Sequence, residues 1–131
     1  MKYSSILMTA AIMLLSCGGD DGSNEPSQVD QKAAYNKQAV VGKWVSRLYA
    51  PKYKSFREVA VHDTIALNAD GTYRQTREQS SIQMKGNYKV DDVYLSLEVQ
   101  TYYLSFSKDT MVLGDIGFGD DNCTYKYVRL P

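Results

Sequence analysis

The polar and apolar positions change period once along the chain. Ser27-Gln28-Val29-Asp30 has the form of a helix start. Ser27 stands at the N-cap and Asp30 three residues on, where a carboxylate can accept the cap's own N–H. A short helix is therefore predicted over residues 28–38. Beyond it the period is two, which places successive side chains on opposite faces of a strand.

The first run is Val41 to Tyr49 and the second Val61 to Leu67, with Val61, Ile65 and Leu67 on one face. Asn68-Ala69-Asp70-Gly71 is a turn, because Asp and Gly tolerate the positive φ of tight hairpins. Thr72 to Arg77 returns from it. Ile82, Met84, Tyr88 and Val90 alternate with Gln83, Lys85, Asn87 and Lys89. Asp91-Asp92 leads into Val93 to Val99, and Tyr102, Leu104 and Phe106 follow. Ser107-Lys108-Asp109 turns into Thr110 to Leu113, and a glycine-rich stretch leads to a last run from Cys123 to Leu130.

About eight short strands at hairpin spacing predict an all-β fold, a small antiparallel up-and-down barrel preceded by the helix. Closure of such a meander removes its sheet edges. A half-open barrel or a two-sheet sandwich satisfies the same alternation. Residues 28–131 form this unit, long enough for one modest core.

The first 27 residues follow a different pattern. Lys2 precedes an apolar stretch from Ile6 to Leu15. That stretch has the length of a signal-peptide core and is too short to span a bilayer. Leu14-Leu15-Ser16-Cys17 resembles the lipobox of bacterial lipoproteins, with Leu three residues before the cysteine and a small residue one before it. Leu15 is bulkier than the usual residue between them. The resemblance implies that residues 1–16 are a cleaved signal and that the Cys17 thiol receives a diacylglycerol. Two or three acyl chains anchor a protein stably without a transmembrane helix. Residues 17–27, rich in Gly, Asp, Ser and Pro, are expected to be a flexible tether. Asp20 and Asp21 resemble the acidic surface-export signal of Bacteroidetes lipoproteins. The implied location is the outer membrane, on its periplasmic face or at the cell surface.

Composition narrows the function. Lys plus Arg number 15 and Asp plus Glu 15, and Lys2 leaves with the signal. No basic excess remains to neutralise a phosphate backbone, so nucleic-acid binding is not expected. The chain has 11 tyrosines, which suit barrel walls and binding surfaces. Of the two cysteines, Cys17 is assigned to lipid. Cys123 is then expected to have no intramolecular disulfide partner and to serve as a small apolar residue.

Gly42-Lys43-Trp44, just after the predicted helix, looks like the Gly-x-Trp signature that opens the lipocalin barrel. The resemblance implies that Trp44 lies across the closed end. It also implies that an arginine near the chain's end packs on the indole, and Arg129 in Tyr127-Val128-Arg129-Leu130 is the candidate. Asp70-Gly71-Thr72-Tyr73 and Ser107-Lys108-Asp109-Thr110-Met111 also resemble small lipocalin-like domains of Bacteroidetes lipoproteins. In that family the first inter-strand connection is long and partly covers the open mouth. Tyr49, Tyr53 and Phe56, with Lys52, Lys54 and Arg57, occupy that connection here and are candidate contacts for a ligand or partner.

No catalytic motif is visible, and an enzyme is not expected. His62 and Asp63 are sequence neighbours, so on a strand they point to opposite faces. Gly114 to Asn122 carries three acids and an Asn, but not at EF-hand spacing, so a loop is expected and no metal or cofactor. Two functions stand: a barrel that binds a small, partly apolar ligand, and an interaction or inhibitor protein, a filled barrel that presents loops to another envelope or host protein.

Overall fold

The computed structural model describes residues 25–117 and 122–131. Cys17, Asp20 and Asp21 lie outside the described residues, as does part of the glycine-rich stretch before Cys123. Helix α1 spans Gln28–Ala39 and begins with the capping box, the Ser27 and Asp30 side chains each serving the other's backbone N–H.

Nine strands follow: β1 (Gly42–Pro51), β2 (Arg57–Glu58), β3 (Asp63–Leu67), β4 (Thr72–Arg77), β5 (Gln83–Val90), β6 (Tyr94–Leu97), β7 (Gln100–Ser107), β8 (Thr110–Asp115) and β9 (Cys123–Arg129). All pairings are antiparallel, from β1–β3 through β8–β9 in sequence order. The pairing of β1 with β9 then closes eight strands into a barrel. The two-residue β2 extends the β3 side of β1 at Leu48 and Tyr49. Closure decides between the barrel and its open or two-sheet alternatives.

Two boundaries differ from the alternation. The run Val93 to Val99 is not one strand. Leu97 pairs with Gln100, so Glu98 and Val99 form the tip of the β6–β7 hairpin, and Val99 is exposed. Val61 and Ile82 lie just outside their strands and are exposed as well. In each case an apolar residue in phase with the inner face falls beyond the last ladder pair, at the rim. Asn68–Gly71 forms the predicted turn, with Gly71 at φ +84°.

The inner face is apolar at one end. Trp44, Ile65, Leu67, Leu95, Met111 and Leu113 are almost fully buried. Burying an aliphatic side chain of this size contributes roughly 1.5–3 kcal/mol. Helix α1 lies at this closed end. Asn36 Nδ2 donates to the Asp91 carbonyl at 2.9 Å, and Tyr35 meets Phe106 edge-on at 6.2 Å. The chain then passes from buried Val40 into β1.

Trp44 and Arg129 face each other across the β1–β9 seam. The guanidinium lies 4.3 Å from the indole centre. It also donates to the carbonyls of Val41 (2.6 Å) and Ala39 (2.7 Å). Ala39 ends α1 and Val41 lies just past its C-cap, where intrahelical partners run out and cations are favoured. The indole Nε1–H donates to the Val40 carbonyl at 2.7 Å, so no polar atom of the ring is stranded. Gly42 makes room for this arrangement. Its φ is +146°, and a Cβ there would come within 2.5 Å of the Arg129 guanidinium. The glycine and the tryptophan of the Gly-x-Trp pattern thus serve one contact.

Trp44→Ala is expected to lower stability by about 3–5 kcal/mol, as large aromatic deletions in cores do. Arg129→Ala should cost less, and the double variant less than the sum of the two, because they share one interaction. Denaturant midpoints of the four proteins measure this. Strict additivity would show that the two side chains act separately.

Candidate functional site

The opposite end of the barrel is polar inside. On β1 the register shifts between Ser46 and Leu48, a bulge that leaves Arg47 unmatched on β9. Both Ser46, paired with Tyr127, and Tyr49, paired with Tyr125, therefore face the lumen. Ladder pairing of β1 with β3 stops at Val45 and Thr64. Beyond it the buried Ser46 hydroxyl accepts from the Asp63 N–H at 2.7 Å, and the Ser46 carbonyl meets His62 Nδ1 at 2.6 Å. The bulge thereby fixes the backbone of Asp63.

Asp63 stands opposite Arg77 on the inner face of β3 and β4. Arg77 Nε and NH2 reach the two carboxylate oxygens at 2.9 and 3.4 Å. The pair raises the arginine's pKa, chiefly through its hydrogen bond. Across the lumen, Tyr102 of β7 stands opposite Asp115 of β8. Gln100 Nε2 (3.1 Å) and the Cys123 N–H (3.2 Å) donate to the Asp115 carboxylate. Tyr125 and Tyr127 complete the polar wall. These groups, with Gln75, Met84 and Leu97, enclose a cavity of about 220 Å³. A recess of about 200 Å³ bordered by Ser80 and Ile82 shares Asp63, Gln75 and Arg77 with it. Exposed Val61, Ile82 and Val99 stand at the rim.

Burial pushes the phenol pKa of Tyr102 up to about 12, with the Asp115 charge adding to it. Tyr125 is pushed up to about 12 by burial, then by the Cys123 thiol and Asp115. Tyr127 is raised as well, by burial first and Asp63 second. All three phenols are neutral donors at ordinary pH.

The structure separates the three aromatics that the sequence grouped. Tyr49 belongs to the mouth: its ring stacks on Tyr125, centroids 6.5 Å apart, and carries the Arg57 guanidinium at 4.8 Å. Tyr53 and Phe56 lie on the outer wall. They border a groove of about 510 Å³ that runs from Tyr103, Ser105 and Val112 to the rim at Asp115 and Cys123, and Lys126 Nζ sits 4.0 Å from the Phe56 ring centre. The cause is β2, whose pairing with Leu48 and Tyr49 turns the connection back along the barrel instead of over its mouth. Tyr53 is 92% exposed with φ at 63°, a conformation uncommon for a bulky residue.

His62 and Asp63 engage different partners, Ser46 and Arg77, and make no acid–base pair. No group of three His, Cys, Asp or Glu side chains among the described residues is placed to hold a metal. Cys123 is half-buried and forms no disulfide among the described residues. Trp44 and Arg129 lie at the closed end, away from this cavity. Asp63, Arg77, Tyr102, Asp115 and Tyr125 were not singled out from the sequence as a site. Their signal was the inward phase of each strand, which carries apolar residues at one end and polar ones at the other. No family model, curated protein or solved structure matches the chain.

Linkage gives the pH dependence. The folded phenols of Tyr102 and Tyr125 titrate near 12, above the ordinary 10.0. The unfolded chain therefore releases these protons first as pH rises, and stability falls between about pH 10 and 12. Phenolate absorbance should show a late-titrating set that appears together with unfolding. Titration of all tyrosines as one ordinary class, with the fold intact, would contradict the buried lumen.

Proposed function

We propose that this chain is a lipid-anchored lipoprotein of the outer membrane whose lipocalin-like barrel binds a small, partly apolar molecule at its open end. The observation that carries the reading is the composite cavity: tyrosine rings, Met84 and Leu97 give apolar contact, while Asp63, Arg77, Gln100 and Asp115 give polar anchors. Small-ligand sites combine such walls with a few fixed polar groups. The fold supports the anchor reading too. The chain enters the barrel through α1 at the closed end, and the cavity opens at the other. A tether on Cys17 would then join the domain through α1, at the end away from the mouth.

A protein-binding role draws on a different feature, the outer-wall groove with Tyr53 and Phe56 at its edge. The cavity favours the ligand reading, because its polar groups are held in place by hydrogen bonds and the ion pair rather than by mobile side chains alone.

Native mass spectrometry of the full chain, extracted in detergent from the envelope that makes it, tests both halves of the proposal. The expected mass lacks residues 1–16 and carries acyl groups at Cys17, with a non-covalent small molecule lost on activation. An unprocessed, unacylated N-terminus would overturn the anchor. A barrel with no small-molecule adduct, or with a protein in its place, would overturn the ligand reading.

A further inference from the structure

We propose that the open-end cavity selects a cation: a small organic ammonium ion of single-ring size, held between the Asp115 carboxylate and the rings of Tyr102 and Tyr125. This rests on the cavity being the binding site and adds the chemistry of its occupant.

The two carboxylates of the lumen differ in what they face. Asp63 is neutralised by Arg77 on the neighbouring strand. Asp115, on the opposite wall, has only neutral donors as its hydrogen-bond partners among the described residues, the Gln100 amide and the Cys123 N–H. Beside it stand phenol rings: Tyr102 directly across the ladder, and Tyr125 on β9 opposite Leu113. A carboxylate next to aromatic faces suits an ammonium group, which donates charge-assisted hydrogen bonds to the one and gains quadrupole attraction from the other. The remaining groups facing the lumen among the described residues are Ser46, Tyr49, Gln75, Met84, Leu97, Val99 and Tyr127. The cations near the mouth are Arg77, bound to Asp63, Arg57, over the Tyr49 ring, and Lys52 and Lys54, which line the neighbouring groove with Asp115. The raised phenol pKa values of Tyr102 and Tyr125 have Asp115 among their causes, which agrees with a negative local potential on that wall. A volume of about 220 Å³ equals about seven water volumes at ~30 Å³ each, which admits one ring with a short amine arm.

Three probes of one shape test the charge: phenethylammonium, phenethyl alcohol and phenylpropionate, titrated into the full chain in detergent by calorimetry. The ammonium should bind at least tenfold tighter than the alcohol, and the carboxylate weakest. Added salt should narrow that ranking, and Asp115→Asn should erase the ammonium's advantage over the alcohol. The wild-type ranking needs no variant, so a misfolded Asp115→Asn would not rescue the proposal. If the alcohol binds as well as the ammonium, or the carboxylate binds best, the cation preference is overturned and the cavity remains the binding site. If none of the three binds, both readings fall.

Discussion

One guanidinium holds together the parts of this fold that are most distant in sequence. Arg129, two residues from the end of the described chain, lies on the indole of Trp44 and donates to the last carbonyl of α1 and to that of Val41 just beyond it. Through it the last strand, the first strand and the helix share a single contact. An antiparallel meander gains each hairpin locally, but its closure joins segments separated by the whole domain. That step carries the largest loop-closure entropy and needs its own interaction. Stacking, two hydrogen bonds to a helix end and burial of the indole supply it, and Gly42 provides the space.

Closure at one end leaves the other end free to be polar. The apolar core fills the barrel from Trp44 to Ile65 and Leu113. Above that level the inward positions become Asp63, Gln75, Arg77, Tyr102, Asp115 and Tyr125, at the far ends of their strands. Polar groups turned toward a lumen are costly to the extent that they are desolvated without partners. Here they have partners, because the β1 bulge presents Ser46 to the Asp63 backbone and Asp63 in turn holds Arg77. The wall is weakest along β5, whose residues before Tyr88 have ladder partners on β4 only. Glu98 at the β6–β7 tip bridges part of that gap by accepting from the Asn87 N–H at 3.0 Å. Gly86 leaves room for its carboxylate.

Much of this was legible in the sequence because period-two alternation is a local property. The helix, its cap, the hairpin at Asn68–Gly71 and most strands follow directly from it. Alternation does not count ladder pairs, so it extended a strand through Val99 and included Val61 and Ile82, which lie at the rim. Nor does it reveal a bulge. The shift at Arg47 changes which of Ser46, Leu48 and Tyr49 face inward, and only the partner strand defines it. The candidate site was missed for a related reason. Asp63 and Arg77 are 14 residues apart, and Tyr102 and Asp115 sit on opposite arms of a hairpin. Asp63 and Arg77 look like ordinary polar strand residues in the sequence, and Asp115 falls within the loop expected over residues 114–122, whereas it ends β8. Tyr53 and Phe56 were grouped with Tyr49 by proximity in sequence, and the pairing of β2 separates them.

The central claim is that β1 and β9 are joined as firmly as any hairpin, with Trp44 and Arg129 as the latch. Native-state amide hydrogen exchange of the full chain reads this strand by strand. The β1–β9 ladder amides should be protected to the same level as those between β7 and β8, while outward amides of β5 before Asn87 exchange early. Arg129→Ala should lower protection across the β1–β9 seam first. Rapid exchange along β1 and β9 in the unsubstituted protein, with the β7–β8 hairpin still protected, would mean that the barrel is open and would contradict this account.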